Sequence, residues 1–267
     1  MTRILVHIHA LRCFGAHPGD GNPALVIEDD ASGPAARQAL ARERDVTCVW
    51  IDPASGSGGA ATLDFYYPHM RSPLCLHATL AAAHLLFARR GEDAALTVRT
   101  AMHAQELGLA RIGDELFVRL APQAIAQPVL EGGLVQRLLQ VSDANLIGAP
   151  RVASVGSPKL LVEVADEHTL HALTPDLAGV NAWSKQAGVN GLYVYCRRPD
   201  GAVEGRNFNH LDPRLEDSAT GVAAGALSVL LGHGVTLRQG QATGRDCLIR
   251  TRTEGGAVLV GGRVEAV

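Results

Sequence analysis

Aromatic residues are scarce: five Phe, four Tyr and two Trp in 267 residues. So few rings leave little for a base-stacking platform. An excess of one charge is missing too, with 24 Lys plus Arg against 27 Asp plus Glu and a net charge of −3. That balance excludes a dedicated nucleic-acid binder, which needs a basic surplus or stripe. No apolar run reaches the ~18 residues of a membrane helix. The longest candidate, Ala78 to Ala88, has His84 inside it and Arg89-Arg90 behind it. MTRILVHIHA alternates polar with apolar residues and lacks a small-residue cleavage signature, so it reads as a first strand. The five cysteines are scattered and form no C-x-x-C pair, which supports neither a disulfide framework nor a zinc ribbon. The expected compartment is a reducing cytoplasm. What remains is a chain 47% hydrophobic and 19% charged, enough for a packed core in one large or two modest domains.

The chain reads as two similar halves. Ser72-Pro73-Leu74-Cys75-Leu76-His77-Ala78-Thr79 leads into a small-residue segment that stops at Arg89-Arg90-Gly91. Leu215-Glu216-Asp217-Ser218-Ala219-Thr220 leads into Gly221 to Leu231, which stops at Gly232. Thr79 and Thr220 are 141 positions apart, about half the chain. Each segment is apolar nearly all round, so each is a buried helix, and each is followed by the glycine that helix ends prefer. Strands are expected before the first helix at Ile4–Leu11, Ala24–Ile27, Val46–Ile51 and Thr62–Tyr67. After it they are expected at Leu96–Thr100 and Glu115–Leu120, with Gly113-Asp114 as a hairpin signal. The second half offers Val152–Val155, Lys159–Val164, Gly191–Cys196 and Arg206–Phe208. Cys247–Thr253 and Ala257–Val264 follow, divided by Gly255-Gly256. Amphipathic helices are expected near Ala35–Arg44 and Leu134–Gln140, and a short segment near His168–Leu173 caps a strand. Each half is then a strongly curved sheet wrapped around one buried helix, an α/β (α+β) chain divided into lobes 1–122 and 123–267.

The start of a buried helix presents unpaired N–H groups and a partial positive charge. Two such starts suit a carboxylate, and the small residues at Ala78-Thr79 and Ala219-Thr220-Gly221 let a ligand approach the backbone. His77 stands before one start and Asp217 before the other. Two ionisable groups beside an anion cradle suit removal and return of a proton at a carbon next to a carboxylate. Taken singly, His77 is as readily a packed residue and Asp217 a plain N-terminal cap; their equivalent placement in two repeats favours the chemical reading.

The ordered motifs resemble the phenazine-biosynthesis PhzF-like family, relatives of diaminopimelate epimerase and proline racemase. They are Gly21-Asn22-Pro23-Ala24-Leu25-Val26, Leu74-Cys75-Leu76-His77-Ala78-Thr79-Leu80-Ala81 and Glu216-Asp217-Ser218-Ala219-Thr220-Gly221, with Gln239-Gly240, Gly244-Arg245 and Val260-Gly261-Gly262 near the end. The resemblance implies two pseudo-symmetric lobes, each a barrel-like sheet around a central helix, with a site in a cleft between them. It also implies isomerisation or epimerisation of a small carboxylate-bearing metabolite, without cofactor or metal, usually in a homodimer. No nucleic-acid or membrane partner is expected. Asp217 and His77 then handle protons, the backbone at Ala78, Thr79, Thr220, Gly221 and Val222 holds the carboxylate, and Asn22 lines the cleft.

The departures are specific. Where the family carries Asn-Leu-Ser-Glu-Thr with a catalytic Glu, this chain has Asp45-Val46-Thr47-Cys48-Val49, which puts Cys48 at the Glu position. Cys48 reads either as a thiolate base or as a small buried strand residue. Leu76 and Val222 replace a glycine and a serine, which narrows the pocket. A catalytically silent relative that uses the cleft for ligand binding is therefore the rival reading. Gly56-Ser57-Gly58-Gly59-Ala60-Ala61 fits G-x-G-x-x-A, but a strand follows it rather than a helix, so it is a hairpin loop. Cys75-x-His77 has no further ligands nearby to complete a metal set, and His168 and His171 read as surface histidines.

Overall fold

The computed structural model describes residues 5–54, 59–91 and 94–267. The expected strand at Ile4 therefore begins outside the described residues, and Gly56–Gly58 of the Gly56–Ala61 loop motif lie outside them too. Along the first part of the chain run β1 (His7–Cys13), β2 (Asn22–Glu28), α1 (Pro34–Arg44), β3 (Thr47–Asp52), β4 (Thr62–Tyr66) and β5 (Arg71–Ser72). Next come α2 (Leu76–Arg90), β6 (Ala95–Thr100), β7 (Glu106–Ile112), β8 (Glu115–Leu120) and α3 (Leu134–Leu139). The later elements are β9 (Leu146–Ala153), β10 (Lys159–Val164), α4 (Glu167–Ala172), α5 (Leu177–Ala187), β11 (Leu192–Arg197) and β12 (Val203–Phe208). The chain closes with α6 (Gly221–Leu231), β13 (Thr236–Gln239), β14 (Cys247–Glu254), β15 (Ala257–Gly262) and β16 (Val264–Ala266).

Two compact units form, one from the residues up to Arg119 with Gly261–Val267, the other from Leu120–Val260. The first unit has the strand order β16-β1-β2-β3-β4-β6-β7-β8, and β5 pairs with β4. The second unit has the order β15-β14-β13-β12-β11-β10-β9. The same steps recur in both. In the first unit β1/β2 is antiparallel, β2/β3 parallel, β3/β4 antiparallel and β4/β6 parallel. In the second, β9/β10 is antiparallel, β10/β11 parallel, β11/β12 antiparallel and β12/β13 parallel. Parallel neighbours need a crossover. The second crossover of each unit is the apolar helix, α2 in one and α6 in the other.

Both helices are buried because their sequences leave them no polar face. Nine of the fifteen residues of α2 are buried, Ala78 to Ala83 without interruption. α6 packs on β9, β10 and β14, strands from opposite ends of the order, so the sheet curls around it. Gly225 sets how closely the helix seats: a Cβ there would lie 2.5 Å from Val155 Cγ2 and 3.1 Å from Val260 Cγ2. Gly225→Ala is therefore expected to destabilise the fold by about 1–3 kcal/mol, the usual penalty of overpacking, as read from urea denaturation. A stability equal to wild type would show that the helix can shift freely.

Several sequence expectations shift in register. Gly113-Asp114 does close a two-residue hairpin, but it joins β7 to β8, not the strand at Leu96–Thr100 to Glu115. β7 was hidden by Gly108 and by the charges at Glu106 and Arg111. Gly255 and Gly256 both have positive φ, as a tight turn between β14 and β15 requires. β9 begins at Leu146, six residues ahead of the apolar run at Val152. α5 was not anticipated, because Gly179 and Asn181 dilute its period. Its Asp176 cap, which accepts from the Gly179 amide at 2.9 Å, and its Gly188 stop were the available signals.

Candidate active site

In the second unit the segment before α6 is pinned by one buried side chain. Gln239, the last residue of β13, accepts from the Thr220 amide at 3.1 Å and from the Tyr193 hydroxyl at 2.9 Å. Its Nε2 donates to the Asp217 carbonyl at 2.6 Å and to Thr220 Oγ1 at 3.0 Å. Because Thr220 Oγ1 accepts from Gln239, its one proton goes to Asp217 Oδ2, at 2.8 Å. The other carboxylate oxygen lies 3.4 Å from the Ala219 amide. Asp217 is thus half-buried, with one oxygen fixed by a charge-assisted hydrogen bond and its own carbonyl tied to the sheet.

Two glycines make this arrangement possible. A Cβ on Gly205 would lie 2.3 Å from Tyr193 Oη, so glycine is what lets the phenol cross β12 to reach Gln239. Gly240 has φ +106°, and a Cβ there would meet Arg245 O at 2.4 Å and Ser218 O at 2.9 Å. The Ser218 hydroxyl donates to Thr243 Oγ1 at 2.8 Å while Thr243 donates to the Gly240 carbonyl, tying the Asp217 segment to the turn after Gly240.

In the first unit the start of α2 is held differently. Cys13, at the end of β1, donates its thiol to the His77 carbonyl at 3.0 Å. Asn22, buried at the start of β2, is the register partner of Cys13. Cys75 is the N-cap of α2, and its Sγ lies 3.4 Å from His77 Nδ1 and 3.8 Å from Nε2. Burial alone would push this thiol up, but the His77 charge and hydrogen bond, the Tyr67 hydroxyl and the Ala78 amide bring it below its ordinary value. The result is a buried sulfur coupled to an imidazole, of which the ring is the more exposed partner. Sequence reasoning weighed Cys75 only as a metal ligand; its spacing of two from His77 across a helix start was the signal for the couple.

Three expected carboxylate donors are already committed. The Thr79 amide donates to the Cys75 carbonyl at 2.9 Å, the Ala78 amide to the Cys75 sulfur and the Thr220 amide to Gln239. The amides of Gly221 and Val222 precede the first intrahelical donors, Ala223 and Ala224. Leu76 is buried and Val222 half-buried.

Cys48 is placed in a different environment. Its side chain packs with Ile27, Ala41, Trp50 and Tyr66, a cluster that includes α1. The thiol is wholly buried, 3.5 Å from the Val46 carbonyl, and burial pushes it up to about 11, with Arg44 opposing. A thiol so raised has almost no thiolate at neutral pH, so its surroundings are those of a structural residue. Cys48→Ser is expected to cost about 1–3 kcal/mol by burying a hydroxyl among apolar groups, read from thermal denaturation. Rapid alkylation of Cys48 in the folded protein would contradict this placement.

One donor set could be taken for a metal site: Glu167, His171 and Glu204. Arg198 Nη1 already bridges both carboxylates, and His171 Nε2 lies 2.9 Å from Glu204 Oε1. The guanidinium supplies the positive charge a cation would bring, so the group is an ion network. His168 is exposed, as expected, whereas His171 is held in this network.

Residues 11–267 match the family model described as phenazine biosynthesis-like protein, PhzC-PhzF. The isomerase YddE of Escherichia coli K12, itself uncharacterized, is 28% identical over 264 residues, covering 91% of this chain and 88% of its own. A trans-2,3-dihydro-3-hydroxyanthranilate isomerase of Pseudomonas fluorescens is 28% identical over 260 residues, covering 91% and 89%. A solved structure described as a predicted epimerase, from Pseudomonas aeruginosa, superposes with a TM-score of 0.78 at 27% identity, covering 97% and 96%. A PhzF-family protein of Bacillus anthracis and a probable proline racemase of Agrobacterium radiobacter share the fold. With nearly its whole length matched and both helix starts carrying the motifs, the chain belongs to the phenazine biosynthesis-like PhzC-PhzF family.

Proposed function

We propose that the protein is an isomerase or epimerase that moves a proton at a carbon of a small carboxylate-bearing metabolite. The observation that carries this reading is that two repeated units each set a proton-handling group at the start of their buried helix: the Cys75–His77 couple before α2 and the pinned Asp217 before α6. In this reading Asp217 takes the proton from carbon, and its fixed orientation lowers the reorganisation needed as charge develops. His77, the more exposed partner of its couple, carries a proton to the substrate, while the buried Cys75 sulfur orients its ring. The Gly221 and Val222 amides hold the substrate carboxylate. No cofactor is called for.

The relatives named as isomerases support the same class. The test is proton NMR in D₂O on a panel of amino acids and hydroxy or unsaturated small carboxylates. Loss of a carbon-bound proton signal in the presence of wild-type protein is the expected result. Tight binding of a carboxylate without exchange would favour a ligand-binding role instead.

A further inference from the structure

Asp217 lies in the connection that leaves β12 at Phe208 and enters α6 at Gly221. The first part of that connection runs through solvent. Leu211 is 64% and Leu215 69% exposed, and Arg214 pairs with Asp212, two residues away on the same turn. Gln239 fixes the chain on the far side of Asp217, at its own carbonyl and at Thr220. On the near side the residue directly before it, Glu216, is gripped by Arg206 of β12. Nε donates to Oε1 at 2.9 Å and Nη2 to Oε2 at 2.7 Å. Two parallel bonds between a guanidinium and a carboxylate fix the plane of the carboxylate as well as its distance.

Arg206 is itself immobilised. Its backbone sits in the sheet, as the register partner of Val194 on β11. Its Nη1 donates to the carbonyls of Leu170, His171 and Leu173 at 3.2, 3.4 and 3.1 Å. These carbonyls belong to the end of α4, where a helix leaves acceptors without intrahelical partners. The guanidinium also lies 4.9 Å from the centre of the Phe208 ring. The two side chains of the pair are only 13% and 8% exposed. A pair so far out of water gives up much of its attraction to desolvation, so it adds little to stability over apolar side chains of similar size. What it does supply is geometry, at the residue one peptide away from Asp217.

We propose that Arg206 and Glu216 are positioning residues: they latch the peptide before Asp217 to β12 and to the end of α4, so that Asp217 is held from both sides, by this pair before it and by Gln239 beyond it. The latch isolates Asp217 from the exposed stretch that ends at Leu215. A displacement of about 1 Å in a working group can cost about 10²-fold in rate. Lysine could not replace Arg206, because a single ammonium lacks the planar fork that sets the plane of the carboxylate.

The test is Glu216→Gln, which leaves Arg206 on the α4 carbonyls and keeps one acceptor for it, but puts an amide donor where the second bond was. Two readouts are taken. Amide hydrogen exchange followed by NMR should show the Ala219 amide, which faces Asp217, exchanging at least about tenfold faster, while Ala226 deep in α6 keeps its protection. With a substrate that exchanges its carbon-bound proton in D₂O, kcat should fall about 10–100-fold and KM stay within about twofold of wild type. Unchanged Ala219 protection, or protection lost equally at Ala226, would overturn the proposal; so would a wild-type kcat. If this variant does not fold, Arg206→Lys, which keeps the charge without the fork, is read in the same way and should show the same two changes. The proposal rests on Asp217 being the working carboxylate, and the two can fail separately. Absence of carbon–hydrogen exchange in wild type would sink the catalytic reading, and Ala219 protection would then decide the latch alone. Exchange that depends on Asp217 but is as fast in Glu216→Gln as in wild type would sink the latch and spare the reading.

Discussion

Asp217→Asn is expected to slow carbon–hydrogen exchange by about 10²–10⁴-fold, the usual contribution of a positioned acid or base, while the fold persists. Asparagine keeps an oxygen where Thr220 Oγ1 donates, so the 2.8 Å hydrogen bond and the Gln239 clamp survive. The other position turns from acceptor to donor beside the Ala219 amide, which is already at a long 3.4 Å. The clamp that holds the segment is kept. What disappears is the group able to take a proton from carbon. A variant that exchanges within about threefold of wild type would remove Asp217 from the chemistry and leave it a cap.

Gln239→Leu should have the largest effect on stability, about 2–6 kcal/mol, and should lower activity although it removes no proton-handling group. The substitution leaves two buried donors, the Thr220 amide and the Tyr193 hydroxyl, without their acceptor. Each such group costs about 1–3 kcal/mol. It also frees the Asp217 carbonyl and Thr220 Oγ1 from Nε2, so the carboxylate loses its fixed orientation. Denaturation and exchange rates measured on the variant check this; equal stability of Gln239→Leu and wild type would mean the clamp is not what holds the segment.

His77 and Asp217 could be found in the sequence because each directly precedes a small-residue helix, a local pattern with a local physical cause. The stops at Gly91 and Gly232 and the two tight hairpins were legible for the same reason. The clamp was not. Gln239 stood out only as part of a motif, and Tyr193 read as an ordinary strand position, because their roles depend on pairings such as Gly205 with Gln239 across strands far apart in sequence. Of the two readings the sequence allowed for Cys48, a base or a buried strand residue, its packing in the apolar cluster with Ala41 and Trp50 favours the second. Cys75 shows the reverse, since a residue read only as a ligand without partners is drawn into a couple once the helix start folds His77 against it.

The central claim is that the Cys75–His77 couple and Asp217 serve one reaction. Exchange rates in D₂O for His77→Asn, Asp217→Asn and the double variant test it most directly. Groups that act as a unit lose most of the rate with the first removal, so the double variant should be no slower than about the slower single one. Losses that multiply in full would mean the two helix starts act independently, and the account would be wrong.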